Sequence, residues 1–227
     1  MIRAWLPALL ASAALAQPAL AADPAAQGST ALAANCPAIA NPNIACRTYA
    51  TPPGTASTPG SSPSVIYFFS YTCAKCADVN AFIAAWGKRA KATVLPTHAL
   101  WGSSTMRQMT EAYYAFERLG VTETLGPRLF ATIKAGEYAF GGPDELARFA
   151  QANGVRGDLV KRALASPRNG FRVAIAERRT DMYQLEAVPF IALNGRYGIT
   201  LKAVDPQTLA DLGALLDALV AEAQPAR

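Results

Sequence analysis

The sequence predicts an α/β fold built from a strand–helix–strand unit, a block of helices, and a closing strand–strand–helix unit. Three observations carry this reading. Residues 64–70 (SVIYFFS) form an unbroken β-branched and aromatic run, the mark of a strand buried on both faces. That run leads directly into YTCAKCADVNAFIAAW, where Val79, Phe82, Ile83 and Trp86 recur at helical spacing. Far downstream, AVPFIALNGRYGITL returns to an extended pattern around Asn194-Gly195, a dipeptide whose two residues tolerate positive φ and so mark a hairpin.

Taken in order, the chain of 227 residues begins with a targeting pattern. Arg3 is a short basic start, residues 4–16 are an apolar run, and Ala19-Leu20-Ala21 is a small-x-small cleavage site. The run is shorter than the roughly 20 residues of a spanning helix. Residues 1–21 therefore read as a signal peptide, and its removal leaves a periplasmic, exported chain whose cysteines meet an oxidising compartment. Residues 22–63 are rich in Ala, Pro, Gly, Ser and Thr and read as a linker-like N-terminal segment that carries Cys36 and Cys46.

Residues 93–95 extend the first unit as a short strand, and strand–helix–strand in this order requires a parallel pair. Helical spacing then covers residues 103–185: Met106, Met109, Tyr113, Phe116 and Leu119 close at Gly120. Further pieces fall near 127–135, 144–152, 157–165 and 170–184 between Gly, Asn and Pro breakers. The hairpin strands read as 190–193 and 196–201. Asp205-Pro206 caps and opens a last helix with Leu209, Leu212, Leu216 and Leu219 on one stripe. The plan divides into 64–102 with 186–223 as one domain and 103–185 as a helical insertion.

Composition narrows the function. A hydrophobic share of 52% excludes a fully disordered chain. The formal net charge is +5, but the basic residues (Arg3, Lys88, Arg89, Lys91, Arg178, Arg179) are scattered, so nucleic acid is not an expected partner. A single His, His98, makes His-rich metal sites and Cys-His triads poor readings, and it reads as a surface or packing residue.

Chemistry concentrates at Cys73-Ala74-Lys75-Cys76, between the buried strand and the first turn of the helix. A cysteine at that position lies beside backbone N–H groups without helical partners, at the positive end of the dipole. Both features favour the thiolate of Cys73, and the Lys75 cation adds to them. Cys76, one turn on, is the expected resolving thiol. A zinc knuckle would need four ligands, and Cys36 and Cys46 lack knuckle spacing. Cys36 and Cys46, ten positions apart, read as a local structural disulfide. No cofactor or metal is implied.

SVIYFFSYTCAKCADVNAF followed by AVPFIALNGRYGI resembles the DsbA-like thiol:disulfide oxidoreductases, a thioredoxin fold with an inserted all-helical domain. Phe68-Phe69-Ser70-Tyr71 matches the family's strand end, Cys73 and Cys76 its Cys-x-x-Cys, and Val188-Pro189 its Val–cis-Pro loop. EAYYAFERLGV…LFATI is similar to its inserted helices. The resemblance implies that Pro189 is cis and packed against Cys73, and that the Val188 backbone pairs with the substrate strand. It implies unfolded exported proteins with paired cysteines as substrates and a quinone-linked membrane oxidoreductase as reoxidant. The chain departs from the pattern at Ala74-Lys75, where many relatives carry Pro-His, and at Tyr67, where many carry a buried Glu. The expected activity is that of a monomeric dithiol oxidase. A reductase or isomerase of the same fold, and a non-enzymatic exported binding module with a static disulfide, stay open at this point.

Overall fold

The computed structural model describes residues 36–49 and 62–223, so the signal-peptide reading of 1–21 lies outside the described residues. The elements run β1 (Ile44–Thr48), β2 (Ser64–Phe69), α1 (Ala74–Ala90), β3 (Thr93–His98), α2 (Ser104–Leu119), α3 (Thr122–Lys134), α4 (Pro143–Ala152), α5 (Gly157–Leu164), α6 (Pro167–Met182), β4 (Phe190–Leu193), β5 (Tyr197–Leu201) and α7 (Pro206–Ala223). No helix among the described residues is long and apolar enough to cross a membrane.

The sheet order is β1-β5-β4-β2-β3. β2 and β3 pair in parallel, as the α1 crossover requires, with Phe69 opposite His98. β4 pairs antiparallel with β2 and with β5. The β4–β5 turn is closed by Arg196 N–H donating to the Leu193 carbonyl at 3.0 Å, with Asn194 at φ 52° and Gly195 at φ 67°. Both central residues take the positive φ that a two-residue hairpin twist demands.

Two sequence readings need correction. The linker-like reading of 22–63 fails at 44–48, because IACRT forms β1 and pairs antiparallel with β5, with Cys46 opposite Ile199. Its period is short and only Ile44 is fully buried, so it gives little pattern to read. The helix placed near 127–135 starts earlier, at Thr122, and carries Pro127 in its interior. Proline reads as a helix start because its ring meets the Cβ of a helical residue before it; here the preceding residue is Gly126, which has none, and Pro127 lies inside the helix.

Alternation along β2 sends side chains to two cores. Phe68 joins Tyr183, Leu185 and Phe190 on one face of the sheet. Tyr67 and Phe69 point into the main core. Phe69 has ring contacts with Tyr113 of α2 at 5.1 Å and Phe130 of α3 at 6.1 Å, so one strand residue ties the sheet to two helices of the insertion. Such aromatic pairs add to the area they bury.

Candidate active site

Cys73 is the N-cap of α1, with extended dihedrals of φ −98° and ψ 103°, and no side chain caps the helix in its place. Its thiol sulfur therefore stands where the helix N–H groups lack helical partners. No acidic side chain occupies the first turn of α1. Cys76 is bonded to Cys73 through a disulfide, with a Cα–Cα separation of 5.4 Å. Cys73 is partly exposed and Cys76 fully buried, so only the first sulfur is open to a second chain.

Local hydrogen bonds shape the turn that delivers Cys73. Its N–H donates to the Ser70 carbonyl at 3.0 Å, and Thr72 N–H donates to Ser70 Oγ at 3.2 Å. Ser70 Oγ also approaches Met106 Sδ at 3.4 Å, from the first turn of α2. Beneath the pair, the Tyr67 hydroxyl donates to the Cys76 carbonyl at 2.8 Å. Burial raises the Tyr67 phenol well above its ordinary pKa, and Asp78 adds to the rise, so it stays a neutral donor.

Opposite Cys73 lies the loop that enters β4. The Val188–Pro189 peptide is cis. The Val188 carbonyl oxygen is 3.6 Å from Cys73 Sγ, a contact across 115 positions of sequence. The structure thus brings together Cys73, Cys76, Val188 and Pro189. Lys75 is different: its Nζ donates to the Lys202 carbonyl at 2.8 Å, on the loop after β5. Cys36 and Cys46 form their own disulfide, Cα–Cα 5.9 Å, against the edge of the main core. Among the described residues no group of three or more His, Cys, Asp or Glu side chains could hold a metal ion.

Sequence reasoning undervalued His98. At the end of β3 it is fully buried, and its Nε2 accepts the Tyr71 N–H at 3.1 Å. Its Nδ1 faces the Ala99 carbonyl and Thr110 Oγ1, both at 2.9 Å. This network assigns the proton to Nδ1. Burial pulls the His98 pKa down to about 3, against the Ala99 carbonyl, which favours the charged ring. A neutral imidazole therefore clamps the residue two before Cys73. A lone His gives no local sign of this; the parallel register that sets Phe69 against His98 is what places it.

No protein-family model matches the chain. It is 25% identical over 147 residues to the thiol:disulfide interchange protein DsbA of Bordetella pertussis, covering 64% of this chain and 69% of that one. With DsbA of Dickeya dadantii it shares 27% over 153 residues, 65% of this chain and 73% of the other. The crystal structure of oxidoreductase DsbA from Xylella fastidiosa superposes with a TM-score of 0.64 at 28% identity, over 75% of this chain and 91% of that chain. The chain is DsbA-like. The fold agrees with a further structure, DsbA of Pseudomonas aeruginosa, at a TM-score of 0.67 and 21% identity, covering 78% and 91% of the two chains. In this DsbA-like frame the fold is a thioredoxin fold with a helical insertion, and the Cys73–Cys76 pair occupies the N-terminus of its first helix.

Proposed function

We propose that this chain is an exported thiol:disulfide oxidoreductase that introduces disulfides into exported proteins. One observation carries the reading: a partly exposed disulfide sulfur at a helix N-terminus, facing a backbone carbonyl on the cis-Pro loop. A substrate thiolate attacks Cys73 Sγ, the Cys73–Cys76 bond breaks, and Cys76 leaves as thiolate. A second substrate thiolate then attacks the substrate sulfur of the mixed disulfide and expels Cys73. The substrate is oxidised by two electrons and the Cys73/Cys76 pair is reduced; of the two protons the substrate thiols give up, one protonates the buried Cys76 thiolate and the other goes to solvent while Cys73 stays a thiolate.

Cys73 is the better leaving group in the last step because the helix N-terminus stabilises its thiolate. Val188 offers backbone groups to an extended substrate segment, and main-chain pairing is tolerant of sequence. This suits unfolded polypeptides with paired cysteines. The leader at residues 1–21 supports a periplasmic location. A quinone-linked membrane oxidoreductase is the reoxidant in this reading, and the enzyme acts as a monomer.

The test is the oxidation of a reduced, denatured protein by stoichiometric oxidised enzyme. The reading expects substrate thiols to disappear as enzyme thiols appear, one pair for one pair, and expects Cys73→Ser to abolish the reaction. Thiol loss that persists in Cys73→Ser would refute it. Faster reduction of substrate disulfides than oxidation of substrate thiols would favour a reductase.

A further inference from the structure

Two large apolar side chains stand exposed among the described residues, Phe171 at 66% and Met182 at 42%, and both belong to α6. Eleven positions of α-helix are three turns plus about 20° of rotation, so the two share one stripe. Ile175, half-buried, lies between them, and Arg168 and Arg178 complete the stripe as exposed cations. Among the described residues neither Arg168 nor Arg178 forms an ion pair.

At the N-terminal end of this stripe opens a cavity of about 480 Å³ between α2 and α6. Arg118, Arg168 and Arg172 line it, with Glu117, Asn169 and Tyr114. Glu117 is consumed by Arg172, which it binds through both oxygens at 2.7 and 2.8 Å, while the guanidinium lies 4.9 Å over the Tyr114 ring. Among the described residues neither Arg118 nor Arg168 has an ion-pair partner, so the cavity is set for an oxyanion.

We propose that the outer face of α6 docks on an anionic phospholipid surface, with a headgroup phosphate held between Arg118 and Arg168 and Phe171 and Met182 entering the interface. Other occupants fit less well. A second copy, meeting this face about a two-fold axis, would set arginines against arginines. A partner helix would need a continuous apolar seam, whereas Arg168 and Arg178 interrupt this one. A lipid interface accepts isolated aromatic and thioether side chains at headgroup depth, while arginine stems lie along it and their heads reach phosphate. The inference is independent of the redox reading, because no residue in it touches Cys73 or Val188.

The test is co-sedimentation of the full chain with phosphatidylcholine vesicles and with vesicles that also contain phosphatidylglycerol, at low and high salt. All variants keep the same termini, so the apolar first residues contribute equally. At roughly five-fold per arginine near the surface, the phosphatidylglycerol vesicles should bind about ten-fold tighter or more at low salt, and the excess should fade at high salt. Arg168→Glu with Arg178→Glu should erase the excess, and Phe171→Ser should weaken it several-fold. The matched pair Lys88→Glu with Arg148→Glu should leave most of it. Equal binding to both vesicles, or equal loss from the matched pair, would overturn the proposal. So would saturation by soluble glycerol phosphate as tight as that by vesicles, which would assign the cavity to a free phosphate ester. Self-association abolished by Phe171→Ser would assign the stripe to a second copy and overturn it as well.

Discussion

Cys73 Sγ lies 3.6 Å from the carbonyl oxygen of Val188, while Cys76, three residues further on, is fully buried. The two sulfurs of one disulfide thus have unequal surroundings, and only the first is open at the loop that carries Val188.

Labelling should follow that inequality. In the reduced protein, iodoacetamide is expected to modify Cys73 and spare Cys76, with a titration midpoint below the ~8.5 of a free thiol. Mass spectrometry of tryptic peptides across a pH series reads both. Equal modification of the two cysteines would contradict the assignment of Cys73 as nucleophile.

His98 gives a pH-dependent stability with a definite sign. Its pKa falls from 6.5 in the unfolded chain to about 3 in the fold, so the unfolded state binds the extra proton between those values. The stability it supports is fully present above about pH 6.5 and is lost as pH falls toward 3, at up to ~1.4 kcal/mol per pH unit. Urea midpoints measured from pH 7 to 4 should decline, and His98→Gln, weaker at pH 7, should show a flatter decline. A variant with the same slope as the parent would remove His98 as the cause.

The Cys36–Cys46 disulfide closes a ten-residue separation at the edge strand β1. By the loop-entropy relation, replacing both cysteines with Ala should cost about 2–3 kcal/mol. Alkylation of Cys73 should keep its rate, because this pair is bonded within itself. The urea midpoint and the Cys73 alkylation rate together read the outcome. A large fall in Cys73 reactivity would instead indicate exchange between the two pairs.

Much of this was legible in the sequence, for local reasons. The run at β2, the helical spacing of Val79, Ile83 and Trp86, and the Asn194-Gly195 turn are short-range patterns, and each element forms where its pattern lies. The Cys-x-x-Cys placement was readable for the same reason. What escaped was set by partners distant in sequence. β1 is a strand because β5, some 150 positions away, offers it an edge. His98 is a clamp only because parallel pairing sets it beside the turn at Tyr71. Lys75 reads as a neighbour of Cys73, yet its ammonium is held by a carbonyl from the loop after β5. Pro127 reads as a helix start, yet it falls inside α3, preceded by a glycine with no Cβ to meet its ring.

The central claim is that the Cys73/Cys76 pair is an oxidant, and urea unfolding of the reduced and oxidised forms at neutral pH tests it most directly. An oxidising pair has the more stable dithiol form. The N-terminus of α1, free of acidic residues in its first turn, stabilises a Cys73 thiolate that the disulfide does not possess. Each such contact contributes about 0.3–1 kcal/mol when exposed and up to about 2 when partly buried. The account therefore predicts a higher urea midpoint for the reduced protein, and a smaller difference in Lys75→Glu, which places a negative charge in that first turn. An oxidised form that is clearly the more stable would contradict it, and would make the Cys73–Cys76 bond a structural or reductase-type disulfide.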